Sequence, residues 1–190
     1  GTNVTIQADV TVTNNLTIAS STTLDAGSNR GITVGGDFAN SGTFTDQQGT
    51  VTFNGTGTLT SGGNDLYNVT TSGTGTVTLG DALTIANDLS IGANTTLDVS
   101  GSDYAIGIKG DFANSGTFTS GSGTVTFNGS GAQTITTGGV GTDNDFNNVT
   151  ITNSGTLADG SDVETSDAIK VNGTLDAVSY THLRAHETRH

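Results

Sequence analysis

The chain has 190 residues, with 18 acidic against five basic side chains and a formal net charge of −13 at pH 7. That charge excludes electrostatic binding to nucleic acid or to anionic membrane surfaces, and the lack of cysteine excludes a disulfide framework. Hydrophobic residues make up only 31% and glycine contributes 29 positions, a balance that without internal order would mean a disordered chain.

Order is present from the first residues onward. Apolar residues alternate with threonine, as in Val10-Thr11-Val12 and Val51-Thr52-Phe53, with Gly, Asn, Asp and Ser between the runs. That alternation predicts short strands bounded by tight turns, and no stretch reads as a helix. In chain order the recognisable segments are Val4–Asp25, GDFANSGTF at Gly36–Phe44, GTVTFNG at Gly49–Gly55 and LYNVT at Leu66–Thr70. The same series then returns. Val77–Asp98 aligns on Val4–Asp25 without a gap, offset 73; Gly110–Phe118 and Gly123–Gly129 follow at offset 74. FNNVT at Phe146–Thr150 follows at offset 80, so the second copy carries an insertion. A third unit starts at Leu157 and reaches TLD at Thr174–Asp176. The units are 4–76, 77–156 and a partial 157–177, and the chain is expected to be a fragment that begins and ends inside an array.

A repeat of this length with short, even strands predicts a β-solenoid, a parallel β-helix in which each unit of about 74 residues supplies three or four coils of about 18–24 residues. All seven phenylalanines are expected inside: Phe38, Phe44 and Phe53 align with Phe112, Phe118 and Phe127, and Phe146 aligns with Leu66. An array of immunoglobulin-like sandwiches is the competing fold, but its modules of about 100 residues are longer than this unit.

Residues 178–190 break the pattern. VSYTHLRAHET at Val178–Thr188 resembles an in-frame translation of a sequencing adapter, and 178–190 is set aside as not native. All three histidines, His182, His186 and His190, lie there, so the i, i+4 pair His182/His186 is not read as half a metal site. Without this tail the chain has 17 acidic and three basic residues, a charge of −14.

Chemistry is sparse. With no cysteine, and no histidine outside the tail, Ser/His/Asp and Cys/His catalytic sets are excluded. Aspartates recur with the repeat: Asp25, Asp98 and Asp176 are equivalent, as are Asp37 and Asp111, and Asp65 and Asp145. An active site occurs once, so recurring acids read as turn-capping scaffold that bonds the local backbone. The bases Arg30, Lys109 and Lys170 occupy non-equivalent positions with no visible partner. One calcium candidate stands out. Gly138–Asp143 matches the first six positions of a glycine-rich calcium nonapeptide, and Asp143, Asp145 and Asn147 have the opening spacing of an EF-hand. Asp145 stands where the nonapeptide needs an apolar residue. Asn148 and Ser154 replace the Gly and Glu an EF-hand needs, so an insertion loop competes with the calcium reading. No other cofactor is indicated.

The pattern GTFT…GTVTFNG(T/S)G…(L/F)xNVT, followed by VTL…DLSI…TTLD, resembles the β-strand-repeat proteins of bacterial cell surfaces, the filamentous-haemagglutinin-like and autotransporter-passenger-like adhesins. The resemblance covers 1–177. It implies a large exported protein, a right-handed parallel β-helix stalk at the cell surface, and partners among glycans or surface proteins of a host or neighbouring cell. No functional residues carry over, and the export signal and anchor of such proteins are not in this sequence. The expected function is a non-enzymatic structural or adhesive segment. Two alternatives are a polysaccharide-processing β-helix enzyme and an ice-binding face built from Thr-x-Thr pairs such as Thr11/Thr13, Thr58/Thr60 and Thr76/Thr78.

Overall fold

The structure is a computed structural model that describes residues 1–138 and 146–154, together with the backbone of Leu157–Asp159 and Thr165–Val171. Among these residues there is no helix, and every paired strand is parallel. The chain winds as a three-sided prism. Successive strands Asn3–Thr5, Val10–Val12 and Leu16–Ile18 lie on the first, second and third faces and complete one coil. The next coil repeats the circuit with Thr23–Asp25, Ile32–Val34 and Phe38–Asn40. The second face is the longest, with eight strands ending at Leu157–Asp159, or about seven turns. The β-helix expected from the repeat is therefore the fold.

Strands of three or four residues form because each side of the prism needs only one or two inward side chains: one in Thr96–Asp98 and Thr117–Thr119, two in Ile32–Val34 and Thr50–Phe53. The middle residue of a triplet such as Val10-Thr11-Val12 points out, as the pleat requires. Parallel register then stacks like on like. Val10, Ile32, Val51, Val69, Leu89, Phe112 and Ile135 form one inward column down the second face. β-branched residues suit this pleated, closely stacked surface. All seven phenylalanines are buried, Phe44 being the most exposed at 5%. They form two groups. Phe38 packs edge-on against Phe44 and Phe53, with ring centroids 5.5 and 6.3 Å away. Phe112 sits amid Phe118, Phe127 and Phe146 at 5.9, 6.3 and 5.2 Å.

The first face changes sheets partway along. Asn3–Thr5, Thr23–Asp25 and Thr43–Thr45 form a three-stranded sheet, and a five-stranded sheet begins at Leu83–Ile85. Between them Leu66 makes one bridge to Ile85, and the Asn64 side-chain oxygen accepts from the Phe44 N–H at 3.2 Å. The Leu66 backbone and the Asn64 side chain thus carry the stack across a coil that has no strand on this face.

The sequence repeat and the coil are out of phase. Val4 lies on the first face and its repeat-equivalent Val77 on the third. Phe38 lies on the third face, and its equivalent Phe112 on the second. From Asn3–Thr5 to Thr76–Leu79 the chain makes ten strand-to-strand steps plus the Leu66 bridge, eleven thirds of a turn. One unit therefore supplies three and two-thirds coils, and identical sequence moves round by one face per unit. The reason lies in coil length: register partners such as Asn3↔Thr23 and Thr23↔Thr43 are 20 residues apart, and 20 does not divide a 74-residue repeat.

The corners require small residues. An added Cβ on Gly55 would lie 2.1 Å from the Gly35 carbonyl oxygen, and one on Gly75 would lie 2.2 Å from that of Gly55. These glycines follow one another down one edge, so adjacent coils approach there with no room for a side chain. The obstacle is backbone, which cannot swing aside. Gly55→Ala is expected to destabilise the fold by about 1–3 kcal/mol through overpacking, read as a lower urea midpoint with an unchanged m-value.

Candidate functional site

Most described aspartates act between coils. The carboxylate Oδ1 of Asp37 accepts from the Thr58 N–H at 2.8 Å, and its repeat-equivalent Asp111 accepts from the Thr134 N–H at 2.7 Å. Asp9, Asp81, Asp88 and Asp103 do the same for Gly31, Ser61, Asp111 and Ser122. Asp25 and Asp98 instead bond the N–H two residues on, at Gly27 and Ser100. The recurring acids Asp25, Asp37, Asp98 and Asp111 bond backbone, but Asp37 and Asp111 fasten one coil to the next where a local turn bond was expected. Asp9, Asp81, Asp88 and Asp103 have no acidic equivalent in the other unit and tie coils all the same.

One acid sits less comfortably. Burial raises the Asp46 carboxyl above its ordinary value of 3.8, and the Asp65 charge adds to this, while N–H bonds from Tyr67 and Gln48 oppose it. A raised folded value stabilises the fold fully below the unfolded value, and that contribution is lost as pH rises through the folded value. At neutral pH the ionised Asp46 therefore weakens the fold. Asp46→Asn is expected to raise the urea midpoint at pH 7 relative to wild type, and the gain should vanish below pH 3.8.

A shallow, open groove of about 530 Å³ lies on the edge between the first and second faces. Three successive corners build it: Ala86–Asp88, Lys109–Asp111 and Asn128–Ala132. Main-chain bonds hold these corners in register, Gly110 N–H to the Asn87 carbonyl at 2.7 Å and Asn87 N–H to the Tyr67 carbonyl at 2.8 Å. Asp88 and Asp111 each use Oδ1 on a backbone N–H of the following coil. Lys109, on the same corner as Asp111, pairs with Asp65 at 3.2 Å, both side chains about half exposed. Lys109 thus has the partner that the sequence did not reveal, two coils away. In such exposed surroundings the pair adds little stability.

Behind the groove lies a buried amide that the sequence reading passed over. Gln133 is 1% exposed; its Nε2 donates to the carbonyls of Ile108 and Gly110 at 3.1 and 2.5 Å, and its Oε1 accepts from the Gly129 N–H at 3.0 Å and from Asn153 Nδ2. It belongs to a two-residue lengthening, Ala132-Gln133, that the first unit lacks. That length difference was the available signal.

Of the calcium candidates, Asp143 and Asp145 lie outside the described residues. Asn147 lies in the strand Phe146–Ile151, where its Oδ1 accepts from Asn148 Nδ2 at 2.8 Å. Among the described residues no three His, Cys, Asp or Glu side chains converge on a point that could hold a metal ion.

The threonine pairs divide between faces. Thr11 is on the second face, while Thr58/Thr60 and Thr76/Thr78 are on the third. Thr58 and Thr78 are register partners, but the file continues into Asp98 before Thr119. Other threonine files run down the second face at Thr11, Thr33, Thr52 and Thr70 and down the first at Thr126 and Thr150. The rotation of one face per unit distributes threonine around the prism, so the three pairs do not share one flat surface.

Comparison with known protein families, curated proteins and solved structures gave no match for this chain.

Proposed function

We propose that this chain is a non-enzymatic structural and adhesive segment of an exported bacterial surface protein, working as a rigid spacer with contact surface along its sides. The supporting observation is the use of its acids. Asp37 and Asp111, equivalent in the repeat, do the same job of fastening coils on two different edges. A carboxylate that recurs in one structural role is scaffold, whereas hydrolysis of a glycan needs a pair of carboxylates with separated acid and base roles. A stack of coils tied by backbone ladders and side-chain bolts gives reach without flexibility, and a long flank offers many weak contacts that combine by avidity.

Passing the chain over a panel of immobilised polysaccharides tests this reading. Retention without release of reducing or unsaturated ends is the expected result. Release of cleavage products would establish the enzyme reading in its place, and failure to be retained on any member would remove the adhesive half of the proposal.

A further inference from the structure

We propose that the groove at Asp88, Lys109 and Asp111 is a binding site for an uncharged, extended polysaccharide chain; this inference rests on the adhesive reading above and names its ligand class. Adjacent coils are spaced about 4.8 Å apart, close to the length of one sugar ring in an extended glycan, so a chain lying along the edge meets a new corner with each residue. The corners offer hydroxyl partners of both kinds. Asp88 and Asp111 each have Oδ1 engaged by backbone, and the second carboxylate oxygen of each is an acceptor for sugar O–H groups. Lys109 has three N–H donors, of which Asp65 takes one. Asn128 and Ser130, both exposed on the third corner, add a donor and acceptor each. Tyr67, half-buried, stands one coil further along the same edge.

Charge narrows the class. Asp65, Asp88 and Asp111 outweigh Lys109, so the groove is net negative and repels an anionic glycan. The chain also contains its own control. Because the repeat rotates, the corners equivalent to the groove lie on the next edge, at Asn15, Gly35 and Asp37. There the same backbone scaffold recurs: Asp37 N–H bonds Asn15 Oδ1 at 2.9 Å, as Asp111 N–H bonds Asp88 Oδ1 at 2.8 Å. That edge lacks the ammonium, with Gly35 for Lys109, and has an amide, Asn15, for the Asp88 carboxylate. The structure assigns binding to the charged edge alone.

Calorimetric titration of the full chain with cellohexaose, maltohexaose and a polygalacturonate hexamer tests the assignment. One neutral hexasaccharide is expected to bind at one site per chain. The double variant Asp88→Asn, Lys109→Ala, which moves this edge toward the chemistry of the other, should weaken that binding at least about tenfold, the effect of losing charged hydrogen bonds. Asp37→Asn should leave it unchanged. Wild-type unfolding midpoints in both variants confirm that the fold is intact. Unaltered affinity in the double variant, tighter binding of the polygalacturonate, or no neutral binding by a chain that polysaccharide columns retain would each overturn the groove as the site. Absence of retention on any column would instead strike the functional reading on which it rests.

Discussion

Phe112→Ala is expected to lower stability by about 3–5 kcal/mol, as for large-to-small changes in a packed interior. The ring is 1% exposed and its centroid lies 5.2 Å from that of Phe146, 5.9 Å from Phe118 and 6.3 Å from Phe127. Edge-to-face packing adds attraction beyond area burial. Its removal leaves a void that three rings on two neighbouring faces cannot collapse to fill, because each is fixed by a parallel ladder: Leu97↔Phe118 on the third face, and Ile108↔Phe127 on the first. The measurement is urea unfolding followed by far-ultraviolet circular dichroism. A loss under about 1 kcal/mol would mean that the ring faces solvent. Phe44→Ala should cost less than Phe112→Ala, since Phe44 has one ring neighbour and is 5% exposed.

Much of this architecture was legible in the residues, and for an identifiable reason. A parallel coil stack makes each inward position see the same environment in every turn, so Val10-Thr11-Val12 and Val51-Thr52-Phe53 announce both strand and face by alternation alone. The inward placement of all seven phenylalanines follows from that alternation. The phase of the coil did not follow from it. Alternation shows which way a side chain points but not on which of three faces the strand lies, and the corner lengths that decide this vary from one coil to the next. Thr52 and Thr70 are partners 18 residues apart, and Leu89 and Phe112 are partners 23 apart. Repeat-equivalent residues such as Phe38 and Phe112 therefore sit one face apart, which the repeat of 74 does not by itself disclose.

The groove was hidden for the same reason. Its groups come from different coils and meet only once the coil length is known: the bond from Lys109 to Asp65 spans 44 positions and that from Asp111 to Asp88 spans 23. Lys109 therefore read as a base without a partner. Recurrence pointed to scaffold only for acids such as Asp37 and Asp111; that Asp9, Asp81, Asp88 and Asp103, which do not recur, also tie neighbouring coils needed the register.

Gln133 provides the sharpest separation of packing from hydrogen bonding. Gln133→Leu is expected to cost about 2–4 kcal/mol even though leucine nearly fills the volume. The penalty is that of leaving buried polar groups unpaired, about 1–3 kcal/mol each. The Gly129 N–H and the Gly110 carbonyl would lose the partner that Gln133 provides. The Ile108 carbonyl retains the Asn128 N–H, and Asn153 retains the Gly131 carbonyl, so these contribute less. Gln133→Ala should cost as much or more, because it opens a cavity in addition to orphaning the same groups. Urea midpoints for the pair decide between two accounts. If leucine restores most of the stability lost with alanine, Gln133 acts by filling space. If leucine and alanine are alike, the amide is the tie that holds the lengthened corner at Gly129 against Gly110, and the groove loses its third wall when that tie is cut.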